Sequence, residues 1–134
     1  LHLSIRRQRQ MCIRDRASIQ PQRALRLLDN PNYKAYIDDE TKSIILQKSV
    51  AVTAYRDIEA AKKITNELTD SDKPQAMTGL VASWMKTDPI AASEWLSKQP
   101  AGPARDAGAR EIIKQIKDTD PAMAKQWQDS MTQK

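Results

Sequence analysis

Histidine and cysteine, the residue types that most often take part in catalysis and bind transition metals, occur only near the N-terminal end of this chain. The only histidine is His2 and the only cysteine is Cys12, so residues 17–134 contain neither type. Zinc sites with nitrogen or sulfur ligands need these types, and so do the Ser-His-Asp and Cys-His arrangements of nucleophilic catalysis. Disulfides and thiol redox chemistry need cysteine. The composition of residues 17–134 therefore excludes all of these functions.

Phosphate-binding loops and carboxylate pairs are further kinds of site that we considered. The three glycines, Gly79, Gly102 and Gly108, stand far apart, so the chain has no glycine-rich phosphate loop. Acidic residues cluster at 38–40 and at positions 70 and 72, in polar segments where helices are expected to begin. Acids at such positions usually serve as helix caps or as solvated charge. We therefore predict a non-catalytic protein that binds no cofactor and no metal.

Most of the net positive charge comes from residues 1–16. The formal net charge is +5, but residues 1–16 hold five arginines and one acid, which leaves 17 basic and 16 acidic residues in residues 17–134. Residues 6–16 resemble the translation of a sequencing adapter, so we expect residues 1–16 to be a non-native leader. The alternative is a basic arm that binds nucleic acid, although residues 1–16 contain no aromatic side chain for base stacking.

A motif recurs along residues 17–134 at nearly constant spacing. The run Thr87–Ala92 (TDPIAA) matches Thr119–Ala124 (TDPAMA) with an offset of 32, and Trp95 then matches Trp127. A weaker copy, residues 57–61, precedes the first run with an offset of 31. Asp followed by Pro favours a helix start, because the carboxylate accepts a backbone hydrogen bond and Pro lacks an N–H that would have stayed unpaired. Each copy therefore predicts the first helix of a hairpin.

Apolar positions with helical spacing predict a second helix in each hairpin. They recur at i, i+3, i+4 and i+7. Two sets are Met77, Leu80, Val81 and Trp84, and Ala109, Ile112, Ile113 and Ile116; a more polar version precedes them at Leu46, Ser49, Val50 and Thr53. Successive sets have the same offsets as the first helices do. We expect Trp84, Trp95 and Trp127 to lie in the core, because each falls on an apolar helical stripe.

These patterns together predict an all-α fold of helical hairpins, an α-solenoid with about 31–32 residues in each repeat. Seven helices are expected, at about 20–29, 38–54, 57–69, 74–86, 89–98, 104–117 and 121–131. Residues 17–134 are then one helical repeat domain, which we expect to be a fragment of a longer chain. No stretch of the sequence approaches the roughly 20 apolar residues of a membrane-spanning helix.

The repeated motif resembles a known type of bacterial protein. Helical-hairpin repeats of the form Asp-Pro-x-Ala-Ala-x-x-Trp-Leu occur in large, mostly uncharacterised verrucomicrobial and planctomycete proteins. Those repeats also carry a Pro-x-Gly-x-x-Arg-Asp-Ala turn, and Pro100–Ala107 (PAGPARDA) is similar to it. The similarity is strong over residues 84–127 and loose over residues 57–83. It implies a repeat fold and favours the cell envelope as location, but it implies no particular activity.

The predicted function is that of a non-catalytic scaffold or of a module that binds a protein or peptide. Solenoids present extended surfaces to such partners. The polar positions of the first helices are the candidate partner-binding face: Glu59, Lys62, Lys63, Glu94, Lys98 and Lys125. Two alternatives stay open: a structural segment of a larger enzyme or envelope protein, and nucleic-acid binding through the basic leader. We favour the first hypothesis and expect no nucleic-acid partner.

Overall fold

The computed structural model describes residues 20–131 apart from residues 29 and 36, and this part of the chain is helical without strands. The helices are α1 (Pro21–Leu28), α2 (Pro31–Lys34), α3 (Asp39–Arg56), α4 (Ile58–Glu67), α5 (Lys73–Thr87), α6 (Pro89–Ser97), α7 (Pro103–Ile116) and α8 (Pro121–Ser130). The predicted all-α class is therefore confirmed. The predicted leader, residues 1–16, lies outside the described residues.

Each of the seven predicted helices is present, with ends that differ from the prediction by at most two residues. The helix that was not predicted is α2, a single turn in the segment where a break was expected. Pro31 presets a helical φ at its first position. The side chain of Asn30 accepts a hydrogen bond from the Asn32 N–H at 2.9 Å. These local features stabilise one turn after the break.

An aspartate forms each junction from a long helix to the short helix that follows it. The N–H of Asp57, Asp88 and Asp120 donates to the carbonyl of Thr53, Trp84 and Ile116, respectively, at 2.7, 2.8 and 2.7 Å. Each carboxylate then accepts a backbone N–H from the first turn of the next helix, as Asp88 does from Ala91 at 3.1 Å. At Asp57 and Asp88 one residue therefore ends the first helix and caps the second, whereas α7 ends at Ile116 and Asp120 closes the turn that follows it.

The acidic clusters considered in the sequence have different roles. Asp38 caps α3, because its carboxylate accepts the Thr41 N–H at 2.7 Å. Asp72 precedes α5 but makes no side-chain cap, and pairs instead with Lys42 of α3 at 3.3 Å. Asp70 lies 3.6 Å from Lys73. A cap was one of the two roles expected of these acids, and it is confirmed for Asp38, whereas the Asp72 carboxylate pairs with the ammonium of a neighbouring helix.

The helices form two rows. The long helices α3, α5 and α7 contact one another in chain order, α3 on α5 and α5 on α7. The short helices α1, α4, α6 and α8 lie against the long helices, and within the described residues they make no close backbone contact with one another. The long-helix row is therefore tightly packed, whereas grooves separate successive short helices.

The core lies between the two rows. Its larger cluster is built on α5, whose Leu80 and Val81 are fully buried, and it extends to Ile112 of α7 and Leu96 of α6. A smaller cluster joins α1 to α3 through Ala24, Leu28, Ile45 and Leu46. The predicted stripes on α3 and α5 are buried throughout, and the stripe on α7 is buried or half-buried.

Helix α1 shares a buried position with the other short helices. The fourth residue of α1, α4, α6 and α8 is Ala24, Ala61, Ala92 and Ala124, and all four are buried. The offset from Ala24 to Ala61 is longer than the two offsets that follow it. This longer segment contains the extra turn α2. The shorter, regular spacing therefore does not align α1 with the other short helices.

The corresponding core position on the long helices is polar in α3. Ser49 occupies the place that Leu80 and Ile112 take on α5 and α7, and it is fully buried. Its hydroxyl oxygen has no hydrogen-bond partner. A buried hydroxyl without a partner costs about 1–3 kcal/mol, so α3 packs less favourably at this position than its two neighbours do.

No helix in the described part of the chain combines the length and the apolar character that crossing a membrane requires.

Gly79 is required where α5 crosses α3. A Cβ atom at Gly79 meets the Gln47 backbone, at 2.9 Å from both the carbonyl carbon and Cα. We expect Gly79→Ala to lower the free energy of unfolding by about 1–3 kcal/mol, because overpacking outweighs the gain in helix propensity of about 1 kcal/mol. The matched control is Gly108→Ala, where the atoms nearest to the added Cβ belong to the side chains of Leu96 and Met77 rather than to the backbone. Urea unfolding measures both changes, and a Gly79→Ala protein as stable as Gly108→Ala would contradict this account.

The Asp88 junction can be tested by removing its carboxylate. We expect Asp88→Ala to destabilise the chain by about 1 kcal/mol, because the Ala91 N–H at the start of α6 loses its acceptor. Asp88→Asn keeps an oxygen at the same place and serves as the control, with an expected change below about 0.5 kcal/mol. Thermal and urea unfolding of both variants check this. Equal losses of stability in the two variants would show that the helix cap is not what the Asp88 carboxylate contributes.

Candidate partner-binding surface

The structure places the six predicted partner-binding residues on three separate short helices. Glu59, Lys62 and Lys63 lie on α4, Glu94 lies on α6 and Lys125 lies on α8, while Lys98 directly follows α6. Five of them are exposed, and Lys62 is half-buried. Because the backbones of the short helices do not come close to one another, these residues are divided among separate helices. Their predicted role in binding a partner stays a prediction.

Lys62 fills the space between α4 and α6. Its ammonium lies 4.9 Å from the ring centroid of Trp84 and 5.9 Å from that of Trp95. The two rings are 5.6 Å apart and tilted by 49°. Lys62 also pairs with Glu59 at 3.0 Å. A cation over aromatic faces is attracted by the ring quadrupoles, so Lys62 contributes to packing as well as to the polar surface.

The sequence predicts that all three tryptophans lie in the core, and the structure buries two of them and half-buries the third. Trp84 and Trp127 are buried, with 9% and 8% of their surface exposed. Trp95 is half-buried and packs against the core from α6. The core prediction is therefore confirmed for Trp84 and Trp127, and in part for Trp95.

The groove between α6 and α8 is open. It has a volume of about 310 Å³ and contains one of the six predicted residues, Glu94. Its lining is Ser93, Glu94, Ser97, Arg105, Met123, Gln126, Trp127 and Ser130. Met123 is 41% exposed, and Trp127 forms a buried aromatic wall. Lys62 fills the space between the preceding pair of short helices, α4 and α6.

A second open groove lies between α1 and α4. Its volume is about 480 Å³, and its apolar lining comes from Leu25, Leu28, Leu46, Ile64 and Leu68. Arg26, Glu67 and the Lys42–Asp72 ion pair also line it. The charges of these four groups cancel, so the groove has no preference for one sign of charge.

A third groove crosses all three long helices. It has a volume of about 400 Å³, and its lining is mostly polar: Ser43 and Gln47 of α3, Pro74, Gln75 and Thr78 of α5, and Ala107, Arg110, Glu111 and Lys114 of α7. We call it the long-helix groove. Arg110 and Lys114 are exposed, whereas Glu111 accepts a hydrogen bond from the Gln115 amide at 3.1 Å. The basic groups of this groove are therefore the more accessible ones.

Sequence reasoning missed the long-helix groove. Its signal was present, because Gln47, Thr78 and Arg110 follow one another at the regular repeat spacing on the polar side of each second helix. The prediction placed the binding face on the polar side of the first helices instead. Which of the two rows is tightly packed depends on contacts between helices, and helical periodicity within one helix does not contain that information.

The described residues show no constellation for catalysis by metal ions. No group of three or more His, Cys, Asp or Glu side chains in this part of the chain is arranged to hold a metal ion. Arg105 and Asp106, which could form a functional pair, lie in the first turn of α7, where a helix dipole favours the acid.

Comparison with protein-family models, with curated proteins and with solved structures gave no significant match to this chain. The resemblance to the bacterial Asp-Pro helical repeats therefore stays a prediction.

The interaction of Lys62 with the tryptophans can be separated from its ion pair. We expect Lys62→Met, which keeps an unbranched apolar stem, to lower stability by about 0.5–1 kcal/mol, since the cation–π contact is lost. The loss should persist in a Glu59→Gln background, because the ion pair is absent there. Lys63→Met on the same helix is the control, with an expected change below about 0.5 kcal/mol. Urea unfolding measures all of these proteins, and equal effects at Lys62 and Lys63 would exclude a contribution from the rings.

Proposed function

We propose that this chain is a non-catalytic α-helical repeat module that binds an extended segment of a partner protein along the long-helix groove. The observation that carries the proposal is that one mostly polar groove crosses three consecutive long helices. An extended peptide that crosses the helices meets equivalent positions at regular intervals. Repeat proteins use extended surfaces of this kind to bind their partners.

The repeat architecture is part of this proposal. Asp57, Asp88 and Asp120 recur at nearly constant spacing, and the backbone N–H of each donates to the carbonyl four residues earlier. The long helices also stack in chain order. Both features support an α-solenoid in which each hairpin adds one long helix to the groove. The groove then lengthens with the number of repeats.

The lining favours a peptide main chain with acidic side chains. Serine, threonine and glutamine side chains can donate to and accept from the peptide groups of an extended segment. Arg110 and Lys114 supply charge-assisted donors, and an arginine can bind a carboxylate with two parallel hydrogen bonds. The acid in the lining, Glu111, is already hydrogen-bonded to Gln115. We therefore expect the bound segment to carry aspartate or glutamate near α7.

Selection of a random peptide library on the immobilised chain tests this function. We expect the selected peptides to be enriched in acidic residues and to bind less tightly as the salt concentration rises. The double variant Arg110→Glu, Lys114→Glu should weaken binding at least about tenfold, which corresponds to about 1.4 kcal/mol. Fluorescence anisotropy with one selected peptide measures the affinity.

The matched control reverses two exposed charges on the short-helix side, Lys98→Glu with Lys125→Glu. We expect this control to bind the selected peptide as the unmodified chain does. If the control loses binding and the groove variant keeps it, the partner-binding face is the one predicted from the short helices. Selected peptides without acidic enrichment would contradict the proposed peptide chemistry.

A further inference from the structure

Successive short helices place equivalent residues into the grooves between them. The fifth residue is Lys62 in α4 and Ser93 in α6, and the seventh residue is Trp95 in α6 and Trp127 in α8. The groove between α4 and α6 therefore contains the pair Lys62 and Trp95. The groove between α6 and α8 contains Ser93 and Trp127 at the same positions.

The first of these grooves is filled by the chain itself. The Lys62 ammonium lies over the ring of Trp84 at 4.9 Å, and Trp95 lies within 5.9 Å of it. Glu59 pairs with the ammonium at 3.0 Å. The packing between α4 and α6 is thus completed by three kinds of group: the aliphatic stem and ammonium of Lys62, the tryptophan rings and the Glu59 carboxylate.

The second groove has serine in place of the lysine and keeps the tryptophan at the seventh position, whereas Ile116 and Ile90 stand at the positions of Trp84 and Glu59, and the carboxylate comes from Glu94 instead. Ser93 has a much shorter side chain than lysine, and the groove beside it has a volume of about 310 Å³. Trp127 forms one wall, and Glu94 lines the groove next to Ser93. Glu94 is exposed and takes part in no ion pair within the described residues.

Arg105 of α7 also lines this groove and sets a limit on its charge. The charges of Arg105 and Glu94 cancel, so the lining is neutral overall. Long-range electrostatic attraction therefore does not favour a ligand of either charge. Selection depends on short-range contact with the tryptophan and the carboxylate. Arg105 is a competing cation in this arrangement, and its removal should strengthen the binding of another cation.

We propose that the groove between α6 and α8 receives a lysine side chain from a partner protein, which takes the place that Lys62 has in the groove between α4 and α6. The lysine stem packs against Trp127 and Met123, and its ammonium interacts with the Trp127 ring and with Glu94. The site shares no residue with the long-helix groove and does not depend on the function proposed for it.

Titration of the chain with the peptide acetyl-Gly-Lys-Gly-amide, followed by NMR, tests this site. We expect the indole N–H signal of Trp127 to shift saturably, while the signals of Trp84 and Trp95 move little. A peptide with norleucine in place of lysine has a similar stem without the charge, and it should bind at least fivefold more weakly. Equal binding of the norleucine peptide, or stronger binding of a glutamate peptide, would overturn the proposal.

Three positions test the assignment of residues within the groove. Ser93→Lys places the cation in the groove from within, so it should abolish the Trp127 shift, whereas Ser93→Ala should leave it unchanged. Glu94→Gln should weaken binding of the lysine peptide, and Arg105→Ala should strengthen it. Circular dichroism establishes that each variant is folded. If Ser93→Lys fails to fold, Glu94→Gln and Arg105→Ala decide, and the absence of opposite effects in these two variants would overturn the proposal.

Discussion

The structure depends on an aspartate that both ends one helix and begins the next. At Asp57 and Asp88 no further residue separates the two helices, because the backbone N–H closes the first helix and the carboxylate caps the second. At Thr87-Asp88-Pro89 the threonine hydroxyl reinforces this junction, since Thr87 donates to the same Trp84 carbonyl as Asp88 does. The apolar stripes of both helices are thereby directed towards one core.

The two rows of helices differ in how closely neighbouring helices approach each other. The long helices approach closely, and at Gly79 only a hydrogen atom fits against the backbone of α3. The short helices stay apart, so side chains decide whether the space between them is filled. Lys62 and Trp95 fill one such space, whereas Ser93 leaves the next one open. Both proposed binding surfaces follow from this difference in packing between the rows.

The helices and much of the core could be predicted from local pattern. Asp-Pro starts and the i, i+3, i+4, i+7 spacing identified seven helices, and the stripes around Leu80 and Ile112 are buried or half-buried as expected. The turn α2 was not predicted. The shared buried position of α1 and the other short helices was not predicted either, because the extra turn lengthens the spacing between α1 and α4. For the candidate site, two of the six predicted residues lie in spaces between helices: Glu94 lines the open groove between α6 and α8, and Lys62 fills the space between α4 and α6.

The sequence by itself determined the fold class, the approximate helix boundaries and the absence of histidine and cysteine chemistry from residues 17–134. These follow from residue types and from periodicity within a single helix. Only the tertiary structure decided that Asp72 pairs with Lys42 and that Lys62 lies over two tryptophans. It also decided that Gln47, Thr78 and Arg110 line one groove. Such contacts join residues on different helices, and their formation depends on helix separation, which the spacing along the chain does not specify.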